Sequence, residues 1–527
     1  MLQPLVLISL DGFGISPIDD KNPIAMAKKP VMDDLLAHYP YGILDASGVA
    51  VGLPWGEVGN SEVGHLNLGA GLVVYQSLPR IGISIENKTF YKNEIFVQAA
   101  EHVKKNKSRL HILGITSTGG VHGHIEHMKA LLRLVKEQKI KDVFVHAITD
   151  GRDSAPQAGV GFIQDLQKTM KELKTGTIAT LCGRYYAMDR NNAWDRTQRA
   201  YDLIMLGTGS QSTDPIAALK DAYAKKIDDE MFEPVCIIDR KKNPIALIQD
   251  NDAVIFSNFR EDRARQIARA IGVGDSFDGF KREKRPGNIF FATMTEYEEG
   301  LPSHVAFPPQ HIQKPFGAIL AEQGMKQLRI AESEKYAHVT YFFNGGEEKT
   351  YPGEDRILVP SPKVKTYDLK PEMSAYEVAD KLVDAIKKKK YDFCLVNFAN
   401  PDMVGHTGNL EATVKAVEVI DECVGKVVEA NKKVGGITMI TADHGNAEGL
   451  VDMVTGRVDK EHSTTPVPFY FIDESRRKDR TPEEVEMLRH EVNVIGILAD
   501  VAPTMLDLIK LKASPEMTGR SLLNDLM

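Results

Sequence analysis

The chain has 527 residues, 43% of them hydrophobic and 26% charged, and its formal net charge is −8. This length predicts at least two domains, because single hydrophobic cores stop growing beyond about 250–300 residues. The acidic balance argues against a nucleic-acid or anionic-membrane partner, and no segment reaches the roughly 18 apolar residues of a membrane span. The four cysteines lack paired spacing, so we expect reduced thiols and a cytoplasmic location.

Short apolar runs alternate with amphipathic segments along most of the chain. The runs predicted to be strands are Leu5–Leu10, Leu110–Thr116, Val143–Ile148, Thr177–Cys182, Ala253–Ser257, Ile289–Ala292, Phe393–Phe398 and Ile437–Thr441. The predicted helices include Ile125–Gln138, Gln157–Leu173, Tyr376–Lys388 and Glu411–Ala430. Near-continuous apolar strands separated by helices are typical of α/β folds, in which helices cover both faces of a parallel sheet.

Residue types with different chemistry occupy different parts of the chain. Carboxylates and histidines suited to metals occur towards both ends, whereas arginine-rich motifs occupy the middle, from Arg152 to Arg263. This division predicts a middle domain inserted into a discontinuous outer domain. The Pro-containing stretches Gln76–Arg80 and Phe307–Gln310 are candidate linkers, and the basic run Lys281–Arg285 is predicted to be solvated.

Metal-suited side chains follow three of the predicted strands. They are Asp11 after Leu5–Leu10, Asp402 and His406 after Phe393–Phe398, and Asp443 and His444 after Ile437–Thr441, with His462 in a later polar loop. Ligands of open parallel sheets bind beyond the carboxyl ends of strands, so these groups should meet if the strands share a sheet. Carboxylate and imidazole suit Mn, Zn, Fe or Co better than Ca. Each residue alone is more often a loop cap or surface residue, but together they favour a two-metal site.

Ser61 lies in the glycine-flanked sequence Gly59–His65, at a predicted helix start. A lone serine in this position is usually an N-cap or a turn residue. Metal coordination can also activate its weakly nucleophilic hydroxyl, and a helix N-terminus favours a bound phosphate. Both interpretations are compatible with the same residue.

The middle of the chain carries polar residues shortly after predicted strands. They are Arg152, Asp153, Arg184, Arg190, Arg260 and Arg263. Because guanidinium groups pair bidentately with phosphate and carboxylate, this set predicts a pocket for a small anionic substrate, with scattered surface arginine as the alternative. His122 and His124 follow another strand, and each is a candidate proton shuttle or a core or capping histidine.

Together these motifs resemble the cofactor-independent (2,3-bisphosphoglycerate-independent) phosphoglycerate mutases, which are alkaline phosphatase-like metalloenzymes. The resemblance covers essentially the whole chain. Its most specific parts are GNSEVGH at Ser61, NFANPDMVGHTG with Asp402 and His406, and TADHGNAE with Asp443 and His444. It implies a two-domain α/β fold. An alkaline phosphatase-like parallel-sheet domain of residues 1–76 and 311–527 would contain an inserted substrate-binding, transferase-like α/β domain of residues 77–310.

The resemblance also implies a role for each residue of the site. Ser61 would accept the phosphoryl group, Lys335 would lie between the metals and the substrate, and His122 would act in acid–base chemistry and binding. One metal would be held by Asp402, His406 and His462, and the other by Asp11, Ser61, Asp443 and His444. The substrate-binding residues would be His122, Arg152, Asp153, Arg184, Arg190, Arg260, Arg263 and Lys335. The two divalent ions would be Mn, with Mg, Zn or Co as alternatives.

The implied activity is the glycolytic and gluconeogenic interconversion of 3-phosphoglycerate and 2-phosphoglycerate through a phosphoserine, without bisphosphoglycerate, by a monomer. The alternatives are a phosphomonoesterase, a related phosphosugar mutase such as a phosphopentomutase, and a non-catalytic binding protein. The last would be expected to have lost metal ligands, and none is lost. The sequence departs from the family pattern at Thr118, Gly123, Asn191 and Ala193, which lie near His122 and Arg190, and at Thr465, where an asparagine is common.

Overall fold

A computed structural model describes residues 3–18, 20–451, 455–490 and 492–526. Within these ranges the strands are, in chain order, β1 Leu5–Leu10, β2 Tyr41–Asp45, β3 Leu110–Ile115, β4 Val143–Thr149, β5 Thr177–Gly183, β6 Ser210–Ser212, β7 Val235–Ile237, β8 Ala253–Phe256, β9 Phe290–Thr295, β10 His304–Phe307, β11 Gln327–Glu332, β12 Glu354–Val359, β13 Phe393–Phe398, β14 Ile437–Thr441, β15 Val467–Ile472 and β16 Val494–Ile497.

The α-helices of the same ranges are α1 Pro23–Met26, α2 Pro30–His38, α3 Ser61–Ala70, α4 Ser77–Glu86, α5 Glu94–Asn106, α6 Ile125–Glu137, α7 Gly159–Leu173, α8 Arg184–Ala187, α9 Trp194–Leu206, α10 Pro215–Ala224, α11 Arg265–Gly272, α12 Phe316–Glu322, α13 Ala375–Lys387, α14 Asn400–Gly405, α15 Leu410–Lys433, α16 Pro482–His490 and α17 Val501–Leu508. None of them combines the length and hydrophobicity needed to cross a lipid bilayer.

The predicted strands and helices are confirmed. Three strands, Leu5–Leu10, Phe393–Phe398 and Ile437–Thr441, have the predicted bounds, and the other elements differ by one to three residues at an end. Hydrophobic periodicity identifies an element well but fixes its last residue poorly, because backbone hydrogen bonds to neighbouring elements decide where it ends.

The chain folds as two compact units. One combines Met1–Gln76 with Gln310–Met527, and we call it the terminal unit; the other is Ser77–Pro309, the middle unit. Because the terminal unit is built from both ends of the chain, the middle unit is an insertion within its sequence. Each unit contains an eight-stranded sheet in the part of the chain that the structure describes.

The sheet of the terminal unit has the order β12-β11-β13-β1-β14-β15-β2-β16. Strands β11, β13, β1 and β14 are neighbours that run parallel, whereas β15 is antiparallel to both of its neighbours. All six residues of the central strand β1 are buried, and five of them are apolar, as expected for a strand covered on both faces. Four consecutive strands therefore end at the same edge of this sheet.

The sheet of the middle unit has the order β10-β9-β8-β3-β4-β5-β7-β6. Strands β8, β3, β4 and β5 are parallel neighbours. Residues of β3 enter two apolar clusters, Leu110 and Ile112 in one and Leu113 and Ile115 in the other, so both faces of the sheet are covered. This sheet also presents the ends of four parallel strands at one edge.

The prediction that Gln76–Arg80 is a linker was wrong for most of its length. Helix α4 begins at Ser77, so Pro79 lies in its first turn. Proline is tolerated there because the first N–H groups of a helix have no partner within the helix. The division between the units falls directly before this helix, between Gln76 and Ser77.

The basic run Lys281–Arg285 is not wholly solvated as predicted. The half-buried Arg282 donates hydrogen bonds to the carbonyl oxygens of Ala270 (2.9 Å) and Val273 (2.7 Å), at the end of α11. The guanidinium thus caps carbonyl groups that the helix leaves unpaired. The positive charge of Arg282 therefore stabilises the end of α11, and this role is visible only in the tertiary structure.

Candidate functional site

The carboxyl ends of β11, β13, β1 and β14 bring the predicted metal-site residues of the terminal unit together. Asp11 follows β1, and Asp402 lies on α14, directly after β13. Asp443 and His444 follow β14, and Lys335 ends the 3₁₀ turn after β11. The condition stated from the sequence, that three of these strands share one sheet, is met.

One cluster is formed by Asp402, His406 and His462. The two Nε2 atoms lie 3.2 Å apart, and Asp402 Oδ1 lies 3.2 Å from the Nε2 atom of His406 and 3.3 Å from that of His462. The Nδ1 atoms lie 2.7 Å from the carbonyl oxygens of Lys460 and Gly59, to which they donate. Their Nε2 lone pairs therefore face the carboxylate, and three acceptors so close together fit a shared cation.

A second cluster contains Asp11, Asp443 and His444. Ser61 completes it, because its Oγ lies 3.1 Å from Asp11 Oδ1 and 2.9 Å from His444 Nε2. Lys335 Nζ lies 2.8 Å from Ser61 Oγ, 2.6 Å from Asp11 and 2.7 Å from Asp402. The lysine thus contacts one residue of the first cluster and two of the second.

The electrostatics of these clusters require positive charge. Asp11 and Asp443 are 0% exposed and Asp402 is 1% exposed, and buried carboxylates are costly unless cations compensate them. Although burial disfavours its charged form, the carboxylates of Asp11 and Asp402 raise the pKa of Lys335. Burial likewise opposes protonation of His444, but Asp443 and Asp11 raise its pKa to about 9. The Asp/His donor sets therefore fit divalent metal ions.

Ser61 is the first residue of α3, and the N-cap role falls to its neighbour. The side chain of Asn60 accepts a hydrogen bond from the backbone N–H of Val63 (3.0 Å), which leaves the Ser61 hydroxyl in the cluster. The flanking glycines permit this placement. A Cβ atom on Gly64 would lie 2.5 Å from the carbonyl oxygen of Asp443. The helix start is thereby packed directly against the loop that carries the metal-suited residues.

Three further polar residues orient the clusters, and none of them was predicted to have a role. Asn397 Nδ2 donates to Asp11 Oδ2 (2.7 Å), and Asn446 Nδ2 donates to Asp402 Oδ1 (2.7 Å). His65 Nδ1 lies 3.1 Å from Asp443 Oδ2. The available signal was an asparagine inside the apolar strand β13, since a buried polar side chain needs a partner.

The middle unit gathers the predicted arginine set beyond the carboxyl ends of the parallel strands β4, β5 and β8. Arg184, 2% exposed, donates to Asp150 Oδ1 (2.6 Å) and Asp153 Oδ2 (2.5 Å). Arg190 and Arg260 lie 3.0 Å and 3.3 Å from the carboxylate of Asp262. The two aspartates Asp150 and Asp262, which had no predicted role, therefore hold the guanidinium groups in place.

The surroundings of these arginines favour an anion. Arg152, Arg190 and Arg260 are about half exposed, with side-chain exposures of 54%, 49% and 48%. Burial and the nearby guanidinium groups of Arg184 and Arg190 lower the pKa of Arg263. Like charges held this close repel one another, so an anionic ligand would stabilise them.

The two candidate histidines of the middle unit have different environments. His122 is 5% exposed, its Nδ1 has no hydrogen-bond partner within the described chain, and burial and Arg184 lower its pKa to about 4. His124 is the N-cap of α6, because its Nδ1 accepts a hydrogen bond from the N–H of Glu126 (3.2 Å). His122 thus remains neutral near pH 7 and available, whereas the capping interpretation holds for His124.

The four departures near His122 and Arg190 are compatible with the local contacts in this chain. Asn191 and Ala193 contact Asp189 Oδ1 through their backbone N–H groups (2.9 and 3.0 Å), which any residue except proline provides. A Cβ atom on Gly123 would lie 2.6 Å from a methyl carbon of Ile115. The serine of the family pattern at this position would therefore require the Ile115 side chain to move. Thr118 is exposed.

Comparisons with known proteins agree with this geometry. The Metalloenzyme superfamily matches residues 3–513. The 2,3-bisphosphoglycerate-independent phosphoglycerate mutase 1 of Methanosarcina acetivorans is 51% identical over 523 residues, 99% of this chain and 98% of that protein. The corresponding mutase of Clostridium botulinum is 48% identical over 522 residues, 99% of each chain. A solved phosphoglycerate mutase of Leishmania mexicana, described at low cobalt concentration, is 29% identical with a TM-score of 0.50, covering 99% of this chain and 97% of that one.

The chain therefore belongs to this metalloenzyme superfamily and, within it, to the family of the 2,3-bisphosphoglycerate-independent phosphoglycerate mutases. The two-domain α/β architecture expected from the resemblance is confirmed. Family membership and the two Asp/His clusters also support dependence on divalent metal. The alternative of a non-catalytic binding protein is excluded by the family and by the complete clusters.

Proposed function

We propose that this protein is an isomerase that interconverts 3-phosphoglycerate and 2-phosphoglycerate without added bisphosphoglycerate, through a phosphoserine at Ser61. The observation that carries the proposal is the position of the Ser61 hydroxyl. It is buried, and within 3.1 Å of its oxygen lie Asp11 Oδ1, His444 Nε2 and Lys335 Nζ. A hydroxyl surrounded by a carboxylate, an imidazole and an ammonium is suited to act as a nucleophile.

We further propose two metal sites, with Mn as the ion and Mg, Zn or Co as alternatives. Asp402, His406 and His462 would hold one ion, and Asp11, Ser61, Asp443 and His444 the other. When bound, such ions lower the pKa of a coordinated hydroxyl and neutralise charge on phosphoryl oxygens. The mixed oxygen and nitrogen donors support Mn or a related transition metal rather than Ca.

The residues of the terminal unit would carry the transfer itself. Ser61 Oγ loses its proton and attacks phosphorus, the bond from phosphorus to the 3-oxygen breaks, and one proton is returned to that oxygen to give glycerate. The ammonium of Lys335 donates hydrogen bonds to the oxygens that gain charge, since its raised pKa keeps it protonated. The 2-hydroxyl of glycerate then attacks the phosphoserine, loses its proton and regenerates Ser61.

The residues of the middle unit would bind and orient the substrate. Arg152, Arg184, Arg190, Arg260 and Arg263 would pair with its carboxylate and phosphate, and Asp153 would accept hydrogen bonds from its hydroxyl groups. His122 would exchange a proton with a hydroxyl of glycerate, because its lowered pKa leaves it neutral at pH 7. Tight retention of glycerate would favour transfer back from Ser61 over hydrolysis of the phosphoserine.

Two broader proposals accompany this function. Each Asp/His cluster is assembled from a single chain, which is compatible with a catalytic monomer. A water-soluble substrate of central metabolism, together with four buried free cysteines, supports a cytoplasmic location. Gel filtration with light scattering tests the first of these proposals.

The first experiment follows 2-phosphoglycerate and free phosphate together while the purified protein is incubated with 3-phosphoglycerate and Mn. We expect 2-phosphoglycerate to form without bisphosphoglycerate and its formation to stop when a chelator is added. Free phosphate without 2-phosphoglycerate would contradict the mutase proposal and favour the phosphomonoesterase, in which water is the final acceptor.

A further inference from the structure

A cavity of about 320 Å³ lies in the terminal unit between helices α2 and α16. Its volume falls at the lower end of the range for small-molecule sites, about 300–1,000 Å³. Among the described residues its lining contains none of the proposed metal ligands, although Phe13 and Gly14, just after Asp11, form part of the wall. We call it the tyrosine cavity, after Tyr41 and Tyr470.

These two tyrosines stand opposite each other on the antiparallel strands β2 and β15, with ring centroids 4.8 Å apart. Tyr470 is 6% exposed, and Tyr41 is half-buried. Neither hydroxyl has a hydrogen-bond partner among the described residues, and neither oxygen is one of the fully buried polar atoms, so both can reach a ligand or water. Burial raises the pKa of both phenols, so both remain O–H donors at neutral pH. The cavity therefore offers two donors that the protein itself does not satisfy.

The rest of the cavity wall combines apolar side chains with polar ones, among them Ser16, Asn22 and Lys29, and Arg489 at the mouth is ion-paired. Met32 and Leu36 are buried against the cavity. Arg489 lies 3.0 Å from Asp33 Oδ1 and 3.7 Å from Glu486 Oε2. An ionic ligand would have to break these pairs, whereas an uncharged ligand leaves them intact. The thioether of Met32 is also a favourable neighbour for an aromatic ring.

Helix α16 closes the cavity but is weakly attached. None of its residues is buried, and Val485 and Leu488 are only half-buried. An element with so little buried surface opens at low cost in free energy, which provides a route into the cavity.

We propose that the tyrosine cavity binds a small, uncharged aromatic or heteroaromatic molecule whose acceptor oxygen takes hydrogen bonds from Tyr41 and Tyr470. The ring would lie among Met32, Leu36 and the tyrosine rings. This site is separate from the proposed substrate site and does not depend on the proposed function.

The test uses benzamide as the probe and benzoate as its matched anion, with the full-length, Mn-loaded protein. Saturation-transfer NMR measures binding, and the ¹³C-methyl signal of Met32, assigned with Met32→Leu, reports its location. We expect benzamide to bind with a Kd on the order of 1 mM, to shift the Met32 signal and to bind at least about tenfold more tightly than benzoate.

The double variant Tyr41→Phe, Tyr470→Phe retains both rings and should weaken benzamide binding about tenfold or more. The matched control Tyr376→Phe removes a hydroxyl that instead bonds Glu422 and should bind benzamide like the unmodified protein. If the double variant does not fold, Tyr470→Phe alone should show an intermediate loss. Absence of binding at 10 mM benzamide, equal binding by the double variant, or preference for benzoate would each overturn the proposal.

Discussion

The two sheet edges of this protein are both formed by the ends of parallel strands but carry opposite charge. In the terminal unit four parallel strands converge on three carboxylates that are at most 1% exposed. In the middle unit the parallel strands β4, β5 and β8 converge on arginines, of which Arg152, Arg190 and Arg260 are about half exposed. The same architecture thus supports a rigid, buried, anionic site that attracts cations and a more open, cationic site that attracts anions.

The side chains at the two sheet edges differ in burial as well as in the sign of their charge. The residues of the terminal edge contact one another and are held by Asn397, Asn446 and His65, so their positions are fixed before any ligand arrives. The exposed arginines have fewer fixed partners and can adjust to a substrate. We therefore expect substitutions at the terminal edge to abolish chemistry and those at the middle edge to weaken substrate binding.

The largest expected effect is that of Ser61→Ala. Removal of the nucleophile should lower mutase turnover by about 10⁴-fold or more, while metal content and thermal stability are retained. The matched control is Ser9→Ala, which removes a buried, unpartnered hydroxyl from β1 and should leave activity unchanged. Residual activity near that of the unmodified enzyme would refute the phosphoserine step.

Asp402→Asn should come next, because it removes the carboxylate shared by His406 and His462. We expect about 10³-fold lower activity and the loss of one bound metal per chain in elemental analysis. Asp421→Asn is the control, since this buried carboxylate accepts backbone N–H groups in the same unit away from the clusters. Unchanged metal stoichiometry in Asp402→Asn would contradict the assignment of the first site.

Arg184→Lys should have a smaller effect, confined to substrate recognition. Arg184 contacts both Asp150 and Asp153 through Nη1. Lysine keeps the charge but lacks the planar fork that pairs bidentately with an anion, so we expect kcat/KM to fall about 10–100-fold with metal content unchanged. The control Arg199→Lys alters a half-exposed arginine paired with Glu233 and should be nearly neutral. A loss of metal in Arg184→Lys would show that the two edges do not have separate roles.

The smallest effect concerns the stability of the middle unit in acid. Burial lowers the pKa of His127 to about 3, so between the ordinary value of 6.5 and about 3 only the unfolded chain binds this proton. The contribution of His127 to the free energy of unfolding is fully present above pH 6.5. It decreases as the pH falls, by up to about 1.4 kcal/mol per pH unit.

Urea unfolding at pH 7 and pH 5 measures this effect. The variant His127→Leu should lose less stability on acidification than the unmodified protein, whereas the control His304→Leu, at an exposed residue, should not differ from it. An equal loss in His127→Leu and the unmodified protein would show that His127 does not titrate as its burial indicates.

The sequence predicted most of the fold because its signals are local. A strand such as Phe393–Phe398 is apolar at five of its six positions, and an amphipathic helix such as α15 repeats its buried valines at helical spacing. The candidate site could also be predicted from the sequence, because Asp11, Asp402 and Asp443 follow strands whose ends meet at one sheet edge. The arginine set followed from the same rule in the middle unit.

Other features depend on contacts between residues far apart in the sequence. Nothing local indicates that Asn397 bonds Asp11 or that Asn446 bonds Asp402. Each depends on which partner tertiary packing brings within hydrogen-bond distance, and many residues in the sequence have the same polar groups.

The sequence by itself determined the α/β class, the order of the elements, the family and the identity of the chemically active side chains, because these follow from periodicity and from motifs. Only the tertiary structure decided which of those side chains share a cluster, which polar residues orient them, and where a cavity with two unsatisfied tyrosine hydroxyls lies. Those outcomes depend on distances of a few ångströms between segments hundreds of residues apart, which no local pattern encodes.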